Sequence, residues 1–226
     1  MTIRVAVLKF PGTNCDLEME HAIRLAGAEP DPVWHTEAHD LKDHDAAVVP
    51  GGFTYGDYVR AGAIAATSPA LDALEELAEE ERPILGVCNG MQILAERNLI
   101  PGTLTVNANN RFICTWTHLK VERTDTPFTT TYEEGQVIRV PIAHKEGRYI
   151  PDDDVENNVV FRFCGPDGTV SPEYNPNGST DNITGVVNDR GNVLGMMPHP
   201  ERAVHKLLGS DDGLPLFRSM IKWCRT

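Results

Sequence analysis

Lysine is scarce in this chain: Lys9, Lys42, Lys120, Lys145, Lys206 and Lys222 are all that 226 residues contain. Lysine and arginine together number 20 against 33 aspartates and glutamates, a formal net charge of −13. A surface of that sign repels a phosphate backbone, so nucleic acid is excluded as a partner class. Acidity with so little lysine is also typical of salt-rich cytosols, and the expectation is that stability falls when salt is removed. No apolar run approaches the length of a membrane span, and the start MTIRVAVLKFPG lacks a charged leader with a small-residue cleavage site. A cytoplasmic protein with no membrane contact is expected. There is no C-x-x-C pair. Cys15, Cys88, Cys114, Cys164 and Cys224 are odd in number and widely spaced, which argues against a disulfide framework and a structural zinc site and for reduced thiols. PGGFTYGD is glycine-rich but lacks the G-x-x-x-x-G-K-[ST] spacing of a phosphate-cradling loop. With no internal repeat, low-complexity tract or linker, one domain over residues 1–226 is expected.

What is present is an alternation of strand and helix patterns. Ile3 to Leu8 reads as a buried strand. A helix starts near Asp16, with Met19, Ala22, Ile23 and Ala26 on one face and Gly27 as its stop. Short strands follow at Pro32 to His35 and Ala46 to Val49, the second running into PGGF. A helix from Pro69 to Glu81 puts Leu71, Leu74, Leu77 and Ala78 on an apolar stripe and Glu75, Glu76, Glu79 and Glu80 on a solvated face. Such alternation implies a mostly parallel, flavodoxin-like sheet with helices on both faces and functional loops at the carboxyl ends of its strands. The middle differs: Phe112 to Val121, Val137 to Val140 and Val159 to Phe163 are strand-like with little helix between them, an antiparallel extension of the sheet. Asp152, Asp153 and Asp154 read as a solvated loop. Ile183 to Val187 and Asn192 to Met197 form a hairpin through NDRG, and Leu214, Phe217, Met220, Ile221 and Cys224 have the spacing of a closing helix.

The chemistry concentrates at PILGVCNGMQILAER. Ile84, Leu85 and Val87 suit a buried strand and the residues from Met91 suit a helix, so Cys88 falls on the turn between them. A residue on so sharp a turn crowds the positions two before and two after it, which here are Gly86 and Gly90. G-x-C-x-G is thus a cysteine form of the nucleophile elbow. The helix start lowers a thiol pKa from about 8.5, and the Asn89 N–H can face an oxyanion. Gly51 and Gly52, at the end of another strand, are candidates for the second oxyanion donor. A cysteine nucleophile needs a base, and among eight histidines His199 stands out: it follows an apolar strand, lies between Pro198 and Pro200, and has Glu201 two residues later to orient it. His21, His35, His39, His44 and His118 are better assigned to surface or structural duty. From the residues alone, MPHPER as a mere proline-rich loop stays open. Cys15 is a rival thiol after a strand, but it lacks the flanking glycines.

PGGF, GVCNGMQIL and MMPHPER, in that order, resemble the class I glutamine amidotransferases, whose triad is Cys-His-Glu. FPGTNCD, GGFTYGDYVRAGAIA, NRFICTW, PIAHKEGRY, YNPNGS and GNVLGMMPHPERAV extend the resemblance over nearly the whole chain to one branch, the glutaminase subunits of phosphoribosylformylglycinamidine synthase. The NGM at Asn89 to Met91 departs from the LGH or LGM of many amidotransferases and agrees with this purine-pathway branch. The resemblance implies Cys88, His199 and Glu201 as catalytic residues, Gly51, Gly52 and Asn89 at the oxyanion, Gln92 as a substrate contact, and no metal. It also implies glutamine as substrate and ammonia handed to a large synthetase subunit of the PurL type, with a small bridging subunit of the PurS type. No cofactor is expected in this chain, whereas ATP and magnesium are expected on the synthetase partner. His144 and the YNPNGS loop are expected either to line the site or meet the partner, or to be structural. The alternative is a stand-alone cysteine hydrolase of γ-glutamyl amides on the same scaffold.

Overall fold

The computed structural model describes residues 2–152 and 155–226, so Met1 and two members of the expected acidic loop, Asp153 and Asp154, lie outside it. The remaining member, Asp152, accepts a hydrogen bond from the Gly102 N–H at 3.0 Å. In chain order the elements are β1 (Arg4–Lys9), α1 (Asp16–Leu25), β2 (Glu29–Trp34), β3 (Ala46–Val49), α2 (Pro69–Glu79), β4 (Ile84–Val87) and α3 (Asn89–Glu96). There follow β5 (Thr103–Thr105), β6 (Ile113–Val121), β7 (Val137–His144), β8 (Arg148–Ile150), β9 (Val159–Cys164), β10 (Ile183–Val187), β11 (Val193–Met196) and α4 (Leu214–Trp223).

Nine strands form one sheet in the order β2-β1-β3-β4-β11-β10-β9-β6-β7. The pairings from β2 to β11 are parallel and those from β11 to β7 antiparallel, as the change of pattern along the sequence implies. From β1 the chain steps one way to β2 and from β3 the other way to β4. Right-handed crossovers therefore put α1 and α2 on opposite faces. Each of β3, β4, β9, β10 and β11 is buried along its whole length, which is why they read as continuous apolar runs without alternation. Helix α2 shows its sequence logic directly: Ser68 caps the Ala70 N–H, Pro69 opens the first turn, and Leu71, Leu74, Leu77 and Ala78 are buried. Among the described residues no helix is long and apolar enough to cross a membrane.

Two strands are longer than the sequence pattern suggests. β2 begins at Glu29 and contains Pro30 and Pro32, and β7 runs on through Pro141 to His144. Both lie at the edges of the sheet, where a missing N–H need not leave a neighbouring strand unpaired. The two-stranded sheet of β5 and β8 has no signature in the sequence, because segments of three residues are too short to show a period.

Candidate active site

Cys88 sits between β4 and α3 at φ 52° and ψ −108°, a left-handed conformation that a side chain resists. Three contacts hold it there. Its N–H donates to the Met196 carbonyl of β11 at 2.8 Å, and its carbonyl accepts from the Gln92 N–H at 3.2 Å. The flanking glycines provide the third: a methyl group at Gly90 would overlap the Val49 carbonyl, and one at Gly86 would lie 2.8 Å from the Gly90 backbone. The elbow is therefore wedged between β3 and its own helix, and the G-x-C-x-G reading has a steric cause. Cys88 is 5% exposed, with its Sγ 3.7 Å from the Ala143 carbonyl.

His199 reaches Cys88 from the far side of the β4 and β11 pairing. Its N–H donates to the Pro141 carbonyl at 2.8 Å, which anchors the MPHPER loop to β7. A single 3-10 turn over Pro200–Arg202 then folds the Glu201 carboxylate back onto the imidazole, with Oε1 2.6 Å from Nδ1. Burial at 1% exposure works against a charged ring, but the charges of Glu201 and then Cys88, with hydrogen bonding toward the Cys15 and Cys88 thiols, hold its pKa well above the usual range. Among the described residues no hydrogen bond of ordinary length closes on the ring's Nε2 or on Glu201 Oε2. A base oriented by a carboxylate, its second nitrogen free and a thiol beside it, is the arrangement that thiol acyl transfer requires.

The two expected oxyanion donors differ in kind. Thr13 and Gly52 form an isolated antiparallel bridge in which Phe53 N–H binds the Gly12 carbonyl and Asn14 N–H binds the Gly51 carbonyl. In such a pair the N–H of Gly52 itself points away from Thr13 and is free for another acceptor. Gly52 lines the cavity above Cys88. Gly51 serves proximity: a methyl group there would come within 2.8 Å of His199 Cε1, 3.1 Å of Cys15 Sγ and 3.4 Å of Cys88 Cβ. Asn89 N–H belongs to the first turn of α3, where no intrahelical acceptor exists. The Asn89 side chain is a brace, accepting from Thr54 N–H at 3.0 Å and donating to Gln92 Oε1 at 2.8 Å. Gln92 spends its other end on the Glu146 carbonyl at 2.6 Å, so it ties the elbow helix to the loop after β7.

Cys15 lies closer to the centre than its sequence context suggests. It is buried, its Sγ accepts from Arg202 Nη2 at 2.9 Å, and it approaches His199. Its Sγ, a ring nitrogen of His199 and an oxygen of Glu201 lie within 4.8 Å of one another. Those are donor types that zinc accepts, but Nδ1 is already engaged by Glu201 and the sulfur by a guanidinium, so the group is a hydrogen-bonded chain. Sequence spacing gave no sign of it, since residues 15 and 202 meet only through the fold.

His144 also lines the cavity. Asn107 uses its amide nitrogen on the carbonyls of Arg111 and His144, so its Oδ1 must accept from His144 Nδ1, and the network assigns the proton to that nitrogen. The ring is neutral: burial first, and then the charge of His199, push its pKa down to about 3. Its Nε2 is a bare acceptor, buried and without a hydrogen-bond partner among the described residues. The YNPNGS loop is the support behind it. Asn177 donates to the Gly147 carbonyl at 2.7 Å and Ser179 Oγ accepts from Tyr149 N–H at 3.0 Å. Of the other histidines, His35 bonds Ser68 and His44 bonds Asp31, the structural duty expected of them.

The cavity measures about 730 Å³, and beyond the triad region it is lined by Asp57, Glu146 and the exposed rings of Phe53 and Phe112. Residues 2–224 match the family of CobB/CobQ-like glutamine amidotransferase domains. The chain is 69% identical to the phosphoribosylformylglycinamidine synthase subunit PurQ of Methanopyrus kandleri, over 99% of this chain and 100% of that one. It is 50% identical to the PurQ subunit of Thermus thermophilus, over 97% and 98% of the two chains. Among solved structures it superimposes on a chain of the PurLQS structure from Thermotoga maritima with a TM-score of 0.90, 44% identity and 99% coverage of both chains.

Proposed function

Because the chain belongs to the family of CobB/CobQ-like glutamine amidotransferase domains, we propose that it works as the glutaminase subunit of a phosphoribosylformylglycinamidine synthase, with Cys88 as nucleophile, His199 as general acid and base, and Glu201 as the group that orients it. The Cys88 thiolate attacks the carboxamide carbon of glutamine. The resulting oxyanion faces the N–H groups of Asn89 and Gly52, and His199 gives its proton to the departing ammonia. A γ-glutamyl thioester remains on Cys88. Water, deprotonated by His199, then attacks the thioester and releases glutamate, restoring the thiolate and the imidazolium. The observation that carries this assignment is the strained cysteine at φ 52° facing an imidazole whose Nδ1 is held by a carboxylate at 2.6 Å.

Ammonia released to bulk water is largely protonated and loses its nucleophilicity, so the product must pass to a docked acceptor enzyme. A large synthetase subunit of the PurL type and a bridging subunit of the PurS type fill that role, a reading supported by the similarity of this chain to one chain of the PurLQS structure. Phe53 and Phe112, exposed at the cavity mouth, offer apolar contact for such a subunit. ATP and magnesium belong on the synthetase, which converts formylglycinamide ribonucleotide to formylglycinamidine ribonucleotide, and the assembly works in the cytoplasm. Reconstitution with the synthetase subunits, ATP, magnesium and the ribonucleotide tests the reading. Glutamine should support product formation, and Cys88→Ala should abolish it while ammonia still does. Strong glutamine hydrolysis by the isolated chain, unaltered by the synthetase, would instead mark a stand-alone hydrolase.

A further inference from the structure

A permanent cation stands beside Glu201 and does not close on it. Arg202 Nε lies 3.9 Å from Glu201 Oε1, the same oxygen that holds His199 Nδ1 at 2.6 Å. A guanidinium and a carboxylate ordinarily meet at about 2.7–2.9 Å, often through two parallel hydrogen bonds, so this pair stops roughly 1 Å short. It does so although no hydrogen bond of ordinary length closes on Glu201 Oε2 among the described residues. Arg202 Nη2 is spent instead on the Cys15 thiol at 2.9 Å, and sulfur is the weaker acceptor by far.

The thiol is fixed independently of Arg202. Cys15 is buried at the start of α1, where its N–H and that of Asn14 both donate to the Gly51 carbonyl at 3.2 Å and its own carbonyl accepts from Met19 N–H at 3.1 Å. Its S–H donates to Asn14 Oδ1 at 3.2 Å, which leaves the sulfur lone pairs for the guanidinium. The backbone thus holds the sulfur, and the sulfur holds the far end of the Arg202 side chain.

The groups facing His199 show what this fastening achieves. Glu201 and Arg202 come from its own loop, Cys88 from the elbow after β4, Cys15 from the start of α1, and His144, which is neutral, from the end of β7. Glu201 is the carboxylate that stabilises a charged ring. Were Arg202 to close on it, one carboxylate would serve two cations and the imidazolium would lose part of its support. We propose that Cys15, fixed by Asn14, is a catch that holds the Arg202 guanidinium off Glu201 and reserves that carboxylate for His199. Cys15 and Asn14 are then positioning residues of the triad, acting on the ring through Arg202 and Glu201. The inference rests on the glutaminase reading for its consequence, an imidazolium that keeps its proton until ammonia departs.

The test follows the protonation of the His199 ring by NMR in the full chain carrying nitrogen-15-labelled histidine, its signals identified by their loss in His199→Gln. Cys15→Ala opens the catch and should lower the pH at which the ring loses its proton by at least about half a unit. Adding Arg202→Gln removes the released cation and should recover at least about half of that shift. Cys15→Ser keeps a donor and an acceptor at the same place and should lie between Cys15→Ala and the unsubstituted chain. Asn14 is exposed, so Asn14→Ala keeps the fold and should move the midpoint in the same direction by less. In the reconstituted assembly, glutamine turnover on the alkaline limb should fall at least about threefold relative to pH 7 in Cys15→Ala and recover with Arg202→Gln. An unmoved midpoint in both Cys15→Ala and Asn14→Ala overturns the inference. So does a shift of equal size with Arg202 present or absent, because the thiol would then act on the ring directly. Midpoints that move as expected in a protein whose assembly never turns over glutamine would overturn the glutaminase reading and leave the catch standing.

Discussion

The two halves of the sheet build one site by opposite means. On the parallel side, β3 and β4 place Gly51, Gly52 and Cys88 by exclusion of volume: positions 86 and 90 have no room for a methyl group, and the cysteine is pinned at positive φ. On the antiparallel side, and on β11 at the seam, His199, Glu201 and His144 are placed by charge and hydrogen bonds, with Asn107, Pro141 and Asn177 as partners. A nucleophile needs a fixed trajectory, which steric packing supplies. A proton carrier needs a tuned affinity, which only nearby charge supplies.

That contrast predicts how each half fails. The largest effect should come from Gly90→Ala, because the added methyl would overlap the Val49 backbone of β3, which cannot give way; a loss of more than about 4 kcal/mol, or no folded protein, is expected in chemical denaturation. A variant of ordinary stability would mean that the elbow is not sterically wedged. Glu201→Gln should leave folding nearly intact while lowering glutamine turnover roughly a thousand- to ten-thousand-fold, since the ring loses its orienter and its raised proton affinity. The natural chain gains stability from His199 below about pH 6.5 and loses it as pH rises through the raised folded value, a dependence that the variant should lack. His144 works in the other direction. The unfolded chain takes its proton near pH 6.5 and the folded chain only near 3, so stability should fall as pH drops across that window, by about 5 kcal/mol at most. His144→Gln should flatten the curve there, and equal acid sensitivity in both proteins would remove His144 from the account. Cys15→Ser is the mildest change: if Cys88 alone is the nucleophile, turnover in the assembly should change less than about tenfold. A loss as deep as that of Cys88→Ala would reverse the roles of the two thiols.

The sterically built half was the more legible in the sequence. G-x-C-x-G states its own constraint, since residues two positions apart collide on a sharp turn whatever the rest of the fold does. His199 and Glu201 were legible for a similar reason, being joined by one short turn. What sequence could not show is held across long separations: Arg202 on Cys15, Asn107 on His144, and Asp57 opposite Glu146. Asp57 and Glu146 were visible only as letters inside FTYGD and HKEG. The full length of the edge strands is hidden in the sequence because proline argues against a strand until its place at an edge is known.

Those edge prolines have a consequence for assembly. Pro30 and Pro32 at one rim remove donors from the outer edge of β2, while at the other rim Pro141 has no N–H to offer, its carbonyl is taken by His199 and the neighbouring Arg139 N–H by Asp212. A strand added at either edge would therefore lack part of its hydrogen-bond ladder, which disfavours growth of the sheet by that route. The loops at the strand ends, where Phe53 and Phe112 stand exposed around the cavity, are left as the surface for the partners proposed above.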